Sequence, residues 1–519
     1  MKVQLNVRDY LDRAVAVYPE RVAVIDEPDQ PAAPLGGGSL TYREFGEHAA
    51  ALAAGLDALG VGVGERVAVL SHNSARLLVA FFGVCGWGRV LVPINFRLHP
   101  EEVRYIVEQS GASVFLVDPE LAEAMAGIEC THSFVVGSES DAVLFRFGAT
   151  PQPWEPDEDA TATLNYTSGT TARPKGVDCT HRQLWMNAAV FGWQASVNDR
   201  DVYLHTLPMF HCNGWGQVFS VTGMGGTHVV LRKVDGPEIL RRIDAHGVTY
   251  LCAAPAVGAT VLDAASGFDP VPGRDRVRMI MAGAPPPTRT IERVETDLGW
   301  EFIQIYGLTE SSPLLTMSRG RAEWDHLTPR ERAEKLSRAG APALGVDLRV
   351  DDQGEVIARS NHILNSYWNN PEATDEAIID GYFHTGDGGS IDDEGYLTIS
   401  DRKKDVIISG GENVSSIEVE DALFNHSDVA EVAVIGVPSD KWGETVKALV
   451  VLVPGSDLAA KSPEDLQAEL ISWCRQSLAG YKCPTSIEVR GELSRTATGK
   501  LQKFRLRAPY WEGVKRQVN

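Results

Sequence analysis

Between Thr41 and Asp118 helical patterns alternate with short apolar strands, and this alternation constrains the fold more strongly than any other feature. The predicted helices are Tyr42–Leu59, Ala75–Val84 and Pro100–Ser110, and the predicted strands are Arg66–Leu70, Arg89–Pro93 and Ser113–Val117. Such alternation is typical of a mostly parallel sheet covered by helices. It resumes after residue 177, with strands predicted at Asp201–Leu207, Gly226–Leu231, Tyr250–Ala253 and Met279–Ala282. The chain is therefore predicted to be an α/β protein.

The length of 519 residues favours more than one domain. Between Gly345 and Ser400 the predicted strands follow one another without long helices, which indicates a small antiparallel or barrel-like subdomain. After Asp401, strands and two helices make the pattern of a compact α+β domain. We therefore expect a large N-terminal domain of residues 1–401 and a small C-terminal domain of residues 402–519, joined by a short hinge near Arg402–Asp405.

The formal net charge of −22 argues against nucleic acid as a partner, because phosphate backbones are bound through basic surface. The seven cysteines are scattered without CxxC pairs, which favours a reducing compartment, and a cytoplasmic location is expected. No stretch approaches the roughly 18 to 20 uninterrupted apolar residues that cross a bilayer, so no membrane span is predicted. The sequence is compatible with a homodimer.

Small hydroxyl residues surround a glycine and precede a lysine in the segment Tyr166–Gly176. Backbone N–H groups, hydroxyl donors and one cation can together surround phosphate oxygens. The segment follows a strand-like run, Ala162–Asn165, but its spacing is not GxxxxGK[ST], so an ordinary kinase or GTPase is not implied. A zinc site at His211–Cys212 is disfavoured because no further Cys/His cluster supplies ligands, and no GxSxG elbow indicates a serine hydrolase.

The segment resembles the phosphate-binding loop of the adenylate-forming superfamily, whose members include acyl-CoA synthetases, peptide-synthetase adenylation domains and luciferase. Further stretches resemble that superfamily in the expected order: Pro208–Trp215, Tyr306–Glu310, His384–Asp387, Asp401–Asp405 with Ser409–Gly411, and Arg495–Lys500. The resemblance covers nearly the whole chain and is strongest to the AMP-dependent carboxylic acid:CoA ligase branch. It implies an enzyme that converts a carboxylic acid, ATP and CoA into acyl-CoA, AMP and pyrophosphate through an acyl-adenylate, with Mg²⁺ as cofactor.

The resemblance assigns the ATP phosphates to the residues Thr167, Ser168, Gly169, Thr170, Thr171, Lys175 and Thr309. Glu310 is the implied magnesium ligand, since Mg²⁺ prefers hard oxygen ligands. Lys500 is the implied catalytic cation, which bridges the acid and the α-phosphate where charge develops. The resemblance also implies that the C-terminal domain is mobile and rotates about Lys403–Lys404 between the two half-reactions.

The nucleoside is assigned to a second group of residues. Adenine is expected on the face of Tyr306 and against the backbone of Gly283, Ala284 and Pro285. The carboxylate of Asp387 is expected to accept hydrogen bonds from the ribose hydroxyls, with Arg402 as its partner at the hinge.

The acid and the thiol are assigned to two further places. His211, Trp215 and Gly307 are expected to line the acyl pocket, with His211 among the catalytic residues, and the apolar character of the pocket suits an aromatic, alicyclic or medium-chain acid. Ser409, Gly410 and Gly411 are expected beside the CoA thiol, because glycine permits close backbone approach. Trp442 is expected to stack on the CoA adenine, and the basic residues Arg495, Lys500, Lys503, Arg505 and Arg507 suit a polyanionic thiol.

Three alternatives remain open from the sequence. The first is an acyl-adenylate ligase that serves a carrier protein. The second is a ligase that has lost adenylation and uses supplied acyl-adenylate, which Ala172 makes conceivable because the superfamily often has glycine there. The third is a luciferase-like oxygenase or a non-catalytic scaffold, which the joint retention of Glu310, Asp387, Arg402 and Lys500 disfavours.

Overall fold

A computed structural model describes residues 1–26, 38–167, 174–402, 405–409, 412–439, 442–495 and 501–512. The strands in these ranges are β1 (Val22–Ile25), β2 (Ser39–Thr41), β3 (Arg66–Leu70), β4 (Val90–Ile94), β5 (Ala112–Val117), β6 (His132–Val135), β7 (Thr161–Thr167), β8 (Lys175–Thr180), β9 (Val202–His205), β10 (Thr227–Val230), β11 (Tyr250–Ala253), β12 (Arg278–Met281), β13 (Glu301–Tyr306), β14 (Thr316–Arg319), β15 (Ala341–Pro342), β16 (Asp347–Val350), β17 (Glu355–Arg359), β18 (Ser366–Tyr367), β19 (Ile378–Ile379), β20 (Tyr382–Ile391), β21 (Leu397–Arg402), β22 (Ile407–Ser409), β23 (Glu412–Val414), β24 (Val429–Ser439), β25 (Gly443–Leu452) and β26 (Ser486–Val489).

The helices in the same ranges are α1 (Arg8–Val17), α2 (Tyr42–Ala58), α3 (Ala75–Gly83), α4 (Pro100–Ser110), α5 (Ser138–Leu144), α6 (His181–Gln194), α7 (Cys212–Trp215), α8 (Gln217–Met224), α9 (Gly236–His246), α10 (Pro255–Ala265), α11 (Thr288–Arg293), α12 (Pro329–Leu336), α13 (Pro371–Ala377), α14 (Ser416–Phe424), α15 (Pro463–Cys474) and α16 (Lys503–Arg507). Local chemistry sets several of these boundaries. Helix α2 begins after Thr41, whose side chain accepts a hydrogen bond from the backbone of Glu44, and helix α4 begins at Pro100 and ends before Gly111, which is left-handed.

Two large sheets form most of the N-terminal domain, and both are parallel at their centres. The first runs β15-β14-β13-β12-β11-β9-β10-β1-β2 and is parallel from β13 to β1. The second runs β18-β8-β7-β4-β3-β5-β6 and is parallel from β7 to β6. Helix α3 lies among the buried elements of the core, and each of its nine residues is buried. The predicted α/β class with helix-covered, mostly parallel sheets is confirmed.

Two smaller sheets complete the described chain. The antiparallel sheet β16-β17-β20-β19, with β21 on β20, occupies the region predicted to be a small subdomain. The sheet β23-β22-β25-β24, with β26 on β25, belongs to the smaller C-terminal domain and has a hydrophobic core of its own. None of the described helices combines the length and the apolar character that a bilayer crossing requires.

The sequence pattern missed two strands that matter for the site. Strand β8, Lys175–Thr180, was not predicted; it pairs antiparallel with β7, so the predicted phosphate segment joins the two strands of a hairpin. Strand β20 is ten residues long and includes His384–Asp387. Both strands contain polar and glycine residues that interrupt the apolar pattern on which the strand prediction depends.

Candidate active site

The hairpin of β7 and β8 places Thr167, the last residue of β7, beside Lys175, the first residue of β8. The predicted phosphate segment crosses from one strand to the other at this end of the hairpin. The two residues are register partners, and the Thr167 hydroxyl donates a hydrogen bond of 3.5 Å to the Lys175 carbonyl. The predicted residues Ser168, Gly169, Thr170 and Thr171 lie outside the described residues. The hairpin therefore fixes the two ends of the predicted phosphate loop.

A tyrosine that the sequence analysis did not assign connects the predicted phosphate cation to the predicted magnesium ligand. Tyr367 donates a hydrogen bond of 2.7 Å from its hydroxyl to Oε1 of Glu310. The Lys175 ammonium lies over the same ring, 5.1 Å from its centroid. Burial raises the pKa of Tyr367, and the neighbouring Glu310 carboxylate raises it further, so the phenol remains a donor at neutral pH. Lys175 and Glu310 are thus brought together across one aromatic ring.

Tyr367 reaches this site because strand β18, which is only two residues long, pairs with β8. In the sequence it is one aromatic residue in Asn365–Trp368 with no periodic pattern. The pairing places it next to Val177, two residues from Lys175. The contact therefore depends on tertiary structure that no local pattern predicts.

The loop after β13 brings Thr309 and Glu310 to the predicted acyl-pocket turn. The Thr309 hydroxyl lies 3.1 Å from Sγ of Cys212, and the Glu310 carbonyl accepts a hydrogen bond of 2.6 Å from the backbone of Leu364. A Cβ atom on Gly307 would lie 1.5 Å from the carbonyl oxygen of Pro313, so only glycine fits where the loop folds back. Burial raises the pKa of Cys212 to about 12, which keeps the thiol neutral at neutral pH.

The nucleoside side of the site is organised around Asp387 on strand β20. The carboxylate is nearly buried, and its Oδ2 accepts a hydrogen bond of 2.8 Å from the Tyr306 hydroxyl at the end of β13. The predicted adenine platform and the predicted ribose acid are therefore in direct contact. Asp387 is also the register partner of Arg402 in the β20–β21 pairing. Gly283, with a φ of 95°, follows the carboxyl end of β12 and is exposed together with Pro285, beside the half-buried Ala284.

Glu355 is a second functional candidate that the sequence analysis missed. Its Oε1 accepts a hydrogen bond of 2.8 Å from the backbone of Gly386, and its Oε2 lies 3.1 Å from Nδ1 of His384. The carboxylate thus holds His384 and Gly386, which lie three residues and one residue before Asp387 along β20. In the sequence Glu355 is one acidic residue in the region Gly345–Ser400, where a small strand-rich subdomain is predicted.

One of the predicted acyl-pocket residues, Trp215, lies on an unusual turn. From Cys212 to Gly216 the backbone is left-handed, with φ values of 47°, 53°, 56°, 58° and 78°. A left-handed conformation costs residues that carry a Cβ about 1–2 kcal/mol each, and Cys212, Asn213 and Trp215 all carry one. Both Asn213 and Trp215 are almost completely buried, whereas His211, just before the turn, is half-buried. Such a turn persists only where its surroundings hold it.

The C-terminal domain presents only part of its predicted site within the described residues. Ser409 ends β22 and pairs with Gly443 of β25, while Trp442 is exposed. Gly410, Gly411 and Lys500 lie outside the described residues, as does the predicted pivot of Lys403 and Lys404.

Part of the predicted basic cluster of the C-terminal domain is paired with acidic side chains. Three of its members form ion pairs with carboxylates of the same domain: Arg495 with Glu431, Lys503 with Glu420, and Arg507 with Asp405. The sequence could not show this because the acidic partners are remote in the chain. The local excess of positive charge is consequently largely compensated.

Two family models match the chain, and together they span both domains. Residues 11–368 match the model of the AMP-binding enzymes, and residues 418–500 match the model of the AMP-binding enzyme C-terminal domain. The chain belongs to the AMP-binding enzyme family. The first match includes the β7–β8 hairpin, the Tyr306–Glu310 loop and Tyr367, which is where the structure brings the predicted phosphate residues together.

Curated relatives of this AMP-binding enzyme are CoA ligases. It is 34% identical to an acetate–CoA ligase of Humulus lupulus, with 96% of this chain and 93% of that protein covered. It is also 34% identical to a 4-hydroxybutyrate–CoA ligase of Metallosphaera sedula, with the same two coverages, and to a peroxisomal acetate/butyrate–CoA ligase of Arabidopsis thaliana, again covering 96% and 93%.

Solved structures agree with this placement. The o-succinylbenzoate CoA synthetase of Bacillus subtilis in complex with its acyl-adenylate intermediate superimposes with a TM-score of 0.80 at 28% identity, and 98% of each chain is covered. The same synthetase has been solved with ATP and a magnesium ion, with a TM-score of 0.80, 28% identity, and 96% of this chain and 99% of that one covered. This AMP-binding enzyme is an acid–thiol ligase, an ATP-dependent acyl-CoA synthetase that works through an acyl-adenylate.

Proposed function

We propose that the contacts among Lys175, Tyr367, Glu310, Tyr306 and Asp387 form the ATP site of this ligase. The observation that supports this most directly is the double contact of Tyr367, which joins Glu310 at 2.7 Å and Lys175 at 5.1 Å from the ring centroid. One carboxylate plus substrate phosphates is a common way to hold Mg²⁺, so Glu310 suits that ion. When bound, Mg²⁺ neutralises charge on the phosphates. The hydroxyl of Thr167 and the ammonium of Lys175 flank the same phosphates.

The nucleoside is held by the pair of Tyr306 and Asp387. The ring of Tyr306 offers a stacking face for adenine, and its hydroxyl orients one oxygen of Asp387. The carboxylate then accepts hydrogen bonds from the ribose hydroxyls, and Gly283, Ala284 and Pro285 offer backbone to the base. Arg402, at the boundary proposed between residues 1–401 and 402–519, is the partner of Asp387 at the hinge.

The chemistry follows in two displacements. A carboxylate oxygen of the acid attacks the α-phosphorus of ATP, and the bond to pyrophosphate breaks; Lys500 supplies the cation at the developing charge. The CoA sulfur then attacks the acyl carbon, and AMP leaves with the bonding electrons. We assign Ser409, Gly410 and Gly411 to the route of the thiol and Trp442 to the CoA adenine.

We further propose that the acid is a short aliphatic one, of about two to four carbons, bound beside His211, Trp215 and Gly307. The core that contains Trp215 and Cys212 also contains Tyr203 and Tyr250, and all four side chains are buried. The buried aromatic side chains in the same core as Trp215 favour a short acid over a long one. The acetate, 4-hydroxybutyrate and acetate/butyrate specificities in the names of the three curated relatives above support a short acid, whereas the sequence analysis expected an aromatic, alicyclic or medium-chain one.

The substitution Trp215→Ala tests the acid assignment. We expect the wild-type chain to release pyrophosphate fastest with acetate to butyrate, and Trp215→Ala to shift the optimum toward hexanoate and octanoate by roughly tenfold in relative kcat/KM, since a methylene-sized change is worth about 1–3 kcal/mol. Trp193→Ala is the matched control, because Trp193 is 73% exposed. An unchanged chain-length profile in a folded Trp215→Ala variant would remove Trp215 from the pocket wall.

The cytoplasm is the proposed location, supported by the seven cysteines, all of which are unpaired. One of the relatives above is named as peroxisomal, so the compartment is not common to the family. Fractionation of cells that express the tagged chain tests the assignment.

A further inference from the structure

The left-handed turn α7 is joined to the phosphate hairpin by a closed ring of three side-chain hydrogen bonds. The Thr163 hydroxyl donates to Oδ1 of Asn165 at 2.9 Å, and Nδ2 of Asn165 donates to Oδ1 of Asn213 at 3.1 Å. The amide Nδ2 of Asn213 completes the ring by donating to the Thr163 hydroxyl at 2.9 Å. Each donor group thus has an acceptor within the ring, and each side chain is at most 2% exposed.

The position of the ring along β7 connects it to the ATP phosphates. Thr163, Asn165 and Thr167 alternate along the strand, so their side chains lie on one face of the sheet. Thr167 is the last described residue before the phosphate segment. A second bond from Asn165, 3.2 Å from Nδ2 to the Phe210 carbonyl, holds the chain just before the pocket turn.

The opposite side of the turn is held by helix α6. Nδ2 of Asn187 donates to the Trp215 carbonyl at 3.5 Å, and its Oδ1 accepts from the backbone of Leu314 at 3.3 Å. Gly216 has a φ of 78°, which favours glycine, and a Cβ atom there would also lie 2.4 Å from Nδ2 of Asn187. The turn is therefore fixed from two directions, and the ring is the side that leads to the phosphates.

We infer that Asn165, with Thr163 and Asn213, is a positioning residue for adenylation: the ring holds the acid-binding turn at a fixed distance from the strand that carries the phosphate loop. The inference rests on the proposed placement of the acid beside His211 and Trp215. The attacking carboxylate and the α-phosphorus are bound by different segments, and an error of 1 Å between reacting groups can cost about 100-fold in rate. Buried rings of this kind act as a unit, because every member depends on the others.

The test uses Thr163→Val, which keeps the shape of the side chain and removes the hydroxyl that closes the ring. Acid-dependent pyrophosphate release is measured in a single turnover, with ATP and acid varied separately, beside a thermal melt. We expect kcat to fall by about 10-fold to 100-fold while KM for ATP stays within about threefold. The serine variant Thr163→Ser, which retains the hydroxyl, should recover most of the lost rate.

The matched control is Thr222→Val. Thr222 is as buried as Thr163, but it lies outside the ring. Its hydroxyl makes two hydrogen bonds that valine would remove, one to the Val218 carbonyl and one with Nε2 of His228. Its variant should keep the wild-type kcat even if its melting temperature falls. If kcat fell equally in Thr163→Val and Thr222→Val, the ring would contribute to stability only and would have no positioning role in adenylation.

A second variant, Asn213→Gly, keeps the left-handed backbone and removes both side-chain bonds. If the ring acts as a unit, the second substitution should add little to the effect of the first. The kcat of the double variant Thr163→Val/Asn213→Gly should then lie within about twofold of the kcat of the slower single variant. Fully multiplicative losses, a wild-type kcat in folded Thr163→Val, or outright unfolding of Thr163→Val would each overturn the inference. A wild-type chain that releases no pyrophosphate with any acid would instead refute the proposed function itself.

Discussion

At the scale of single residues, the site depends on side chains that orient other side chains. Tyr367 orients Glu310, Tyr306 orients Asp387, and Glu355 holds the backbone of Gly386 next to that aspartate. Hydrogen-bonded partners of metal and substrate ligands contribute strongly to affinity because they fix the geometry of the ligand before it binds. The residues proposed to touch substrate are those that the superfamily resemblance named, and the side chains that orient them are those that the structure adds.

Removing the hydroxyl of Tyr367 tests this dependence. In Tyr367→Phe the ring remains beside Lys175, but Glu310 loses the donor at 2.7 Å. We expect the Mg²⁺ concentration for half-maximal pyrophosphate release to rise by about tenfold. Tyr382→Phe is the control, since it also loses a hydrogen bond to a carboxylate, 2.7 Å to Asp347, in the antiparallel sheet. If the Mg²⁺ concentration for half-maximal pyrophosphate release were the same in both variants, Tyr367 would have no role in metal binding.

At the scale of elements, the loop after β13 is defined by one glycine. Gly307→Ala would place a Cβ atom 1.5 Å from the Pro313 carbonyl oxygen, which is backbone and cannot rotate away. We expect the loop that carries Thr309 and Glu310 to be displaced, with adenylation lowered by more than about 100-fold. A Cβ atom on Gly320 meets nothing within 4 Å, so Gly320→Ala should behave as the wild type in the same assay and melt. Normal adenylation by Gly307→Ala would show that the loop tolerates the added atom.

Element prediction from the sequence succeeded where an apolar pattern had one clear period. Strand β3 and helix α4 have the predicted bounds, because one is a short apolar run and the other has proline at its start and glycine after its end. Strand β8 and the two-residue strand β18 were missed, since their pairing depends on residues far away in the chain. The same reason explains the ion pairs of Arg495, Lys503 and Arg507, which a local charge count could not reveal.

At the scale of the whole molecule, buried neutral histidines make stability depend on pH. Burial lowers the pKa of His181 and of His362 to about 4 and that of His228 to about 3, and it lowers the pKa of His205 well below its usual value. Above about pH 6.5 these residues are neutral in both states. Below it the unfolded chain binds protons that the folded chain does not, so stability falls as the pH falls toward 4.

The substitution His181→Gln isolates the contribution of one histidine to this pH dependence of stability. Nδ1 of His181 accepts a hydrogen bond of 3.3 Å from the backbone of Val7, which protonation of that nitrogen would break. Relative to the variant, the wild-type free energy of unfolding should fall by about 1.4 kcal/mol per pH unit between pH 6 and pH 5. Urea unfolding at three pH values measures this slope, with the exposed His326→Gln as control. Parallel pH profiles for wild type and His181→Gln would show that His181 does not remain neutral on folding.

The central claim is that this chain joins a short acid to CoA through an acyl-adenylate, and a product balance tests it most directly. The chain is incubated with ATP, Mg²⁺ and butyrate, with and without CoA, and the nucleotides, pyrophosphate and thioester are quantified by chromatography. The account predicts equal amounts of AMP, pyrophosphate and butyryl-CoA when CoA is present, and without CoA a burst of about one pyrophosphate per enzyme with butyryl-adenylate retained. Formation of ADP and phosphate, pyrophosphate release that does not require an acid, or thioester formation only on a carrier protein would contradict it.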